Sequence, residues 1–334
     1  MILPHFFAPA DRLALERDGA DWPNRAASRM LDAGGLCWHV QVLGEGPPLL
    51  LLHGAGASAH SYRDLAPLLA SRFRVIAPDL PGHGFSSSRG AGTQSLPGMA
   101  KAVATLLRTL SSAPEIAVGH SAGAAVLARL VLDEAIAPTL IVSLNGAFTP
   151  FGGVASHVLP SLAKTLLLNP FATRYFAWSA DRAAVARLLT GVGSQIDPRG
   201  VDLYARLMSN PAHVEGALSM MAHWDLHALN RDLPRLSTPM AMIVGANDLA
   251  VRPPSARKVA ARLPNARVFE IGGRGHLAHE EAPEAHAKLI FQIWEGSKRP
   301  DAPTTSPPAD RSCAVRRSVA APDPPKRQSS LQSV

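Results

Sequence analysis

Between residues 36 and 294, short apolar runs alternate with longer stretches of helical periodicity, a pattern that few folds accept. Residues 36–43, 49–52, 74–78, 115–118, 139–144, 240–244 and 267–271 read as strands. Residues 62–70, 96–110, 122–134, 255–263 and 283–294 read as helices. A strand that is apolar along its whole length has no polar face for water, so both of its faces must be covered. Helices between successive strands supply that cover and leave the strands parallel. The expected class is therefore α/β: a mostly parallel central sheet flanked by helices, built from residues 31–146 and 228–296, with residues 1–30 as an N-terminal extension.

One stretch breaks the alternation. Residues 147–227 show no strand pattern, only helical segments interrupted by Pro150, Pro160, Pro170, Pro198 and Pro211. An insertion of that size between two core strands is expected to form a helical cap. Its first part is strongly apolar, with Lys164 as the single charged side chain in residues 146–173. Three readings stand: packing of cap helices on the core, an apolar pocket roof, or a surface that meets lipid peripherally.

Charge narrows the partner classes. The net charge is +7, but residues 297–334 hold seven Lys and Arg against three Asp, a net +4. The remaining body is nearly balanced, so no nucleic-acid partner is expected. This Pro-, Ser- and Arg-rich tail lacks apolar periodicity and is expected to be disordered; it is either simply solvated or touches a membrane surface or a partner. No run of 18 apolar residues is present, so no membrane-spanning helix is expected. The first residues, Met1 to Phe7, lack the basic start of a secretory signal. Two cysteines, Cys37 and Cys313, are too few for a disulfide framework, and a reducing cytoplasm is the expected compartment. With no Cys-x-x-Cys, His-Glu-x-x-His or Gly-rich phosphate loop, neither a metal nor a cofactor is expected.

The chemistry concentrates in four loops that follow strands. Gly119-His120-Ser121-Ala122-Gly123 fits Gly-x-Ser-x-Gly, after a strand and before a helix. On such a sharp turn the serine hydroxyl is lifted above the sheet, and small flanking residues leave room for it. A serine hydroxyl needs a base to become a nucleophile at neutral pH. His276, in a Gly-rich loop after the last strand, is the candidate base; His279 and the other histidines read as structural or surface residues. The base needs a carboxylate to fix its tautomer, and Asp248, directly after the strand at 240–244, fits. The equivalent place after the preceding strand holds Asn145, which cannot carry charge. Leu52-His53-Gly54-Ala55-Gly56 supplies the fourth loop. The backbone N–H groups of Ala55 and Ala122 are the expected donors to an oxyanion. Asp79-Leu80-Pro81-Gly82-His83-Gly84 reads as structural support, with neither Asp79 nor His83 catalytic. Residues 220–225 read either as pocket lining or as ordinary helix packing.

Taken together, residues 30–296 resemble the α/β-hydrolase superfamily, whose chain order is Ser…Asp…His. Ser121 separates this chain from the haloalkane dehalogenases and most epoxide hydrolases of that fold, which use an aspartate. A narrower resemblance rests on Asp21-Trp22-Pro23-Asn24-Arg25, the Asp79–Gly84 and Gly119–Ala125 segments, Ser143-Leu144-Asn145-Gly146-Ala147 with Pro150-Phe151-Gly152-Gly153, and Trp224-Asp225-Leu226. In this combination the chain resembles the magnesium-chelatase accessory α/β hydrolases of bacteriochlorophyll biosynthesis in phototrophic bacteria. That resemblance implies work near magnesium insertion into protoporphyrin IX, magnesium chelatase as a partner, and a flat apolar tetrapyrrole as ligand. It implies a pathway and not a reaction. Three functions are expected: a serine hydrolase in that pathway, a non-catalytic porphyrin-binding accessory, or, from the same serine, acid and histidine without any pigment role, a general esterase or haloperoxidase-like enzyme. The expected location is cytoplasmic, with peripheral contact at the inner or photosynthetic membrane as an open variant.

Overall fold

The computed structural model describes residues 12–150, 163, 165–166 and 169–298. The expected tail with Cys313, the start of the chain, and most of the apolar stretch at 146–173 lie outside the described residues.

Eight strands form one sheet: β1 (Ser28–Ala33), β2 (Leu36–Leu43), β3 (Pro48–Leu52), β4 (Arg74–Pro78), β5 (Ile116–His120), β6 (Leu140–Leu144), β7 (Met240–Gly245) and β8 (Ala266–Ile271). Their order is β1-β2-β4-β3-β5-β6-β7-β8. Pairing is antiparallel for β1–β2 and β2–β4 and parallel from β4 to β8. The apolar strands are covered on both faces, as their composition requires. In β3, Leu50 and Leu52 join one core cluster with Trp38, Val40 and Val126, while Leu49 and Leu51 join the other with Tyr62, Phe73 and Ile290. All four leucines are fully buried. At roughly 1.5–3 kcal/mol per buried side chain, this strand alone is a large share of what holds the sheet together.

The strand β1 was not expected from the sequence. Its composition, Ser-Arg-Met-Leu-Asp-Ala, carries no apolar run, and most of it is exposed or half-buried. It exists because Gly34 and Gly35, at φ +58 and +71, make a two-residue turn that returns the chain onto β2 with Ala33 opposite Leu36.

Between β6 and β7 the described residues contain helices and no strand: Pro170–Ser179, Arg182–Gly191, Pro198–Met208, Pro211–Ala222 and His227–Asp232. Three of the prolines that interrupt this stretch begin helices rather than end them. Pro170, Pro198 and Pro211 occupy first helical positions, and each is preceded by an Asn or Asp whose side chain accepts a hydrogen bond from an N–H in the first turn.

Histidines fill much of the interior on the site side of the sheet. His39, His53, His60, His83, His120, His213, His279 and His286 are all buried. Asp79 sits among them and accepts from Ala59 N–H (2.7 Å), Phe85 N–H (2.9 Å) and the His39 ring (2.8 Å). Burial alone would raise this carboxyl; the field and hydrogen bonds of His39 and of those N–H groups outweigh it and hold the group at about 2. The Asp79–Gly84 loop is buried throughout, in keeping with a supporting role.

Burial disfavours the imidazolium form, so His53, His60, His83, His120, His213, His279 and His286 all have lowered pKa values, His213 and His286 about 4. Once unfolded, these rings bind protons near the ordinary histidine pKa of about 6.5. Their contribution to stability is therefore complete above that pH and is lost as the pH falls toward 4 and below. His213 and His286 each account for on the order of 3 kcal/mol at pH 4. Thermal unfolding followed at pH 7.5, 6, 5 and 4.5 is expected to show a steep fall in Tm below pH 6.5; a flat profile would contradict this account.

Candidate active site

Ser121 links the end of β5 to the helix Ala122–Leu132 and has φ 49°, ψ −115°. A non-glycine residue in that region costs about 1–3 kcal/mol and persists only where its surroundings leave no alternative. Here the surroundings are two bare glycines. A Cβ on Gly119 would lie 2.7 Å from Ala124 N, and one on Gly123 would overlap the carbonyl oxygen of Leu52. The helix is thus pressed onto β3 and β5 at its first turn. Ser121 N–H donates to Leu144 O (3.0 Å), which ties the turn to β6.

The His276 loop follows β8 and the Asp248 loop follows β7, and both reach the same rim. Ser121 Oγ is 3.1 Å from His276 Nε2, and His276 Nδ1 is 2.9 Å from Asp248 Oδ2. An ionised carboxylate only accepts, so Nδ1 carries the proton and Nε2 presents its lone pair to the serine hydroxyl. Asp248 is buried and takes two further kinds of donor. Asn145 Nδ2 donates to Oδ2 at 2.6 Å, and the N–H groups of Ala250 and Val251 donate to Oδ1, each at 2.8 Å. Four hydrogen bonds thus replace the water that this carboxylate loses on burial. Chemically, the arrangement can draw a proton from the serine and hold it on an imidazole whose far side faces a fixed negative charge.

Gly54 packs directly on the turn: a Cβ there would lie 2.8 Å from His120 Nδ1 and 3.1 Å from Ser121 Cβ. Ala55 follows it, exposed at the rim, and Ala122 opens the helix. Neither Ala55 N–H nor Ala122 N–H donates to a protein acceptor among the described residues. The helix dipole favours negative charge beside Ala122.

Sequence reasoning overlooked three contributors. Asn145, set aside because it lacks charge, is a donor to Asp248; its place directly after the strand at 139–144 was the available signal, and the structure gives it φ 49°. His120, inside the motif itself, hydrogen-bonds His276 O through Nε2 at 3.0 Å. Behind it, Ser61 joins His279 (2.9 Å) and Glu280 (2.6 Å), and Glu280 also accepts from Tyr204 (2.8 Å) and from Arg63. Arg63 in turn bonds Asp197, so this buried network runs from the His276 loop into the inserted helices. Burial raises the Glu280 carboxyl, with Arg63 opposing it. No sequence signal joins residues so far apart.

Of the two readings of residues 220–225, Met220 and Trp224 follow helix packing, against the core cluster that includes Val126 and Leu229. A cavity of about 510 Å³ lies beside the Asp248 loop, lined by residues including Thr190, Gly193, Gln195, Leu249 and Arg252. Among the described residues no cluster of three or more His, Cys, Asp or Glu side chains could hold a metal ion, and no helix is long and apolar enough to cross a membrane.

Comparison with known proteins agrees with this architecture. The alpha/beta hydrolase fold family matches residues 47–283. The magnesium-chelatase 30 kDa subunit of Rhodobacter capsulatus is 40% identical over 280 residues, covering 83% of this chain and 98% of the subunit. A pimeloyl-[acyl-carrier protein] methyl ester esterase of Nitrosomonas europaea is 29% identical over 258 residues, 74% of this chain and 95% of the esterase. An alpha/beta hydrolase fold protein from Burkholderia ambifaria superposes with a TM-score of 0.67 at 24% identity, covering 79% of this chain and 99% of that one. From strand order, the strained serine turn and these likenesses together, this chain belongs to the α/β-hydrolase-fold family, in company with the magnesium-chelatase 30 kDa subunit.

Proposed function

We propose that this protein is a serine-type hydrolase that serves as an accessory to magnesium chelatase in bacteriochlorophyll biosynthesis, acting in the cytoplasm on an ester-like bond of an apolar substrate, with a tetrapyrrole as the leading candidate. The reading rests above all on the continuous contact from Ser121 through His276 to Asp248, at 3.1 and 2.9 Å. In it, Ser121 Oγ attacks the acyl carbon while His276 Nε2 takes the hydroxyl proton. Asp248 holds the ring and stabilises the imidazolium that forms. The N–H groups of Ala55 and Ala122 bind the oxyanion of the tetrahedral intermediate. His276 then returns its proton to the leaving oxygen, and water activated by the same imidazole releases the acyl group from Ser121. The helices from Pro170–Ser179 to Pro211–Ala222 act as the cap of this site.

The pathway comes from the 40% identical relative, whose name places it with magnesium chelatase, and the bond type from the methyl ester esterase at 29% identity. A second reading draws on the same chelatase relative, because its name carries no hydrolysis: the protein binds a porphyrin for the chelatase and the serine is idle. A general esterase without any pigment role would draw on the methyl ester esterase alone.

A fluorophosphonate probe is expected to label the wild type and to leave Ser121→Ala unlabelled; equal labelling of both would reject the hydrolase. Asp248→Asn is expected to lower the labelling rate by about 10³–10⁴-fold, because the ring loses its tautomer control. Ser121→Ala is expected to change stability by less than about 1 kcal/mol in denaturant unfolding, since the side chain is no packing element. In a strain lacking the gene, Ser121→Ala protein present at normal level is expected to fail to restore pigment. Restored pigment would favour the porphyrin-binding role, and unchanged pigment in the gene's absence would favour the general esterase.

A further inference from the structure

Three consecutive residues of the inserted segment, Val192, Gly193 and Ser194, lie across both loops that carry the base and the acid. They come directly after the last turn of the helix Arg182–Gly191 and stay bonded to it: Gly193 N–H donates to Thr190 O (2.9 Å) and Ser194 N–H to Leu189 O (3.1 Å). The carbonyl of Val192 accepts from two N–H groups, that of His276 itself and that of Leu249, next to Asp248, each at 3.3 Å. The buried Ser194 hydroxyl accepts from Leu277 N–H at 2.7 Å, the shortest of these contacts and one residue past His276. Gly193 sits between, at φ +85°. A Cβ there would overlap the carbonyl of Asn247, and a Cβ on Gly275 would overlap the carbonyl of Gly193.

The consequence is mechanical. The His276 and Asp248 loops rise from neighbouring strands, β8 and β7, and are joined near their bases by Ala246 N–H to Ile271 O (2.9 Å) and Asn247 N–H to Arg274 O (2.8 Å). Farther out, at His276 itself and beside Asp248, one carbonyl is shared by both loops and a hydroxyl pins the residue after His276. These partners come from neither loop but from the insertion, through backbone approaches that tolerate no side chain at 193 or 275.

We propose that Ser194, with the Val192–Gly193 backbone, is a positioning residue for His276: it holds the imidazole in register with Asp248 and Ser121, and so makes the reactivity of the serine depend on the seating of the helix Arg182–Gly191. The residue touches no reacting atom; it acts through the backbone on either side of the imidazole-bearing residue. This inference rests on the hydrolase reading given above. A misplacement of about 1 Å in such a constellation can cost on the order of 100-fold in rate.

The test uses the full chain and a fluorophosphonate probe, with the maximal labelling rate and the half-saturating probe concentration measured separately. Ser194→Ala is expected to lower the maximal rate by about 10- to 100-fold with little change in half-saturation. Ser194→Thr, which keeps the acceptor oxygen, is expected to recover most of the loss. Gly193→Ala is expected to behave like Ser194→Ala or worse. A wild-type maximal rate in Ser194→Ala overturns the proposal, as does equal loss in the Ala and Thr variants accompanied by an equal fall in Tm, which would mark a purely structural residue. A second readout does not require a reactive serine: the far-downfield proton resonance of His276 Nδ1–H bonded to Asp248. Its broadening or loss in Ser194→Ala, with retention in Ser121→Ala, supports the proposal. Its persistence unchanged in Ser194→Ala, or its absence from the wild type, overturns it. A wild type that shows this resonance but takes no label overturns the hydrolase reading alone.

Discussion

The site depends on how closely one helix can be pressed against the sheet. At the junction of β5 and the helix Ala122–Leu132, Gly119 and Gly123 let backbone meet backbone, and the residue between them is left with a left-handed turn. That turn is unfavourable for serine on its own. It is held by apolar burial: Ala124 to Ala128 along the helix and Leu50 and Leu52 beneath it are fully buried. The hydrophobic effect, which has no direction of its own, is converted by two missing Cβ atoms into a directed hydroxyl.

Around this turn many polar groups are buried, and two carboxylates among them, Asp248 and Asp79, are answered by donors. Asp248 has four donors, and Asp79 has two backbone N–H groups and an imidazole. His120 and His279 answer the cost of burial differently, by staying neutral. His120 illustrates the arrangement: as a neutral ring it donates through Nε2 to the His276 carbonyl, so the nucleophile's own motif reaches across to the loop of its partner. Protonating these rings would place several like charges within one small volume, with His120 and His279 centred 4.5 Å apart. The same packing that builds the site therefore ties it to neutral pH.

The inserted helices are bound into this design rather than laid over it. Tyr204 and Asp197 reach the Arg63–Glu280 pair, Glu280 lies on the turn just after His276, and Val192 to Ser194 lie on the tips of both loops. Family membership carries the fold and the chain order of serine, acid and histidine, whereas the insertion is where relatives of one fold are free to differ in substrate. On the hydrolase reading proposed above, this coupling makes chemistry at Ser121 answerable to the seating of those helices.

Much of this was legible in the linear chain. Apolar strands 4–6 residues long announce burial on both faces wherever they fold, and a Gly-Gly pair around a serine between strand and helix has few other uses; these are local properties of composition and spacing. The order Ser121, Asp248, His276 could be read because each comes just after a strand, and parallel strands deliver their C-terminal loops to one edge. By the same local logic, β1 was hidden: Ser28–Ala33 has no apolar signature of its own, and only its pairing with β2 makes it a strand. Tertiary structure alone decided the rest. The bond from Asn145 to Asp248 spans 103 positions, that from Leu277 to Ser194 spans 83, and the Ser61–Glu280 contact spans 219. Hydrogen bonds depend on distances of a few tenths of an ångström between groups that sequence separation leaves unrelated, so those partners could be known only after the loops had been set in place.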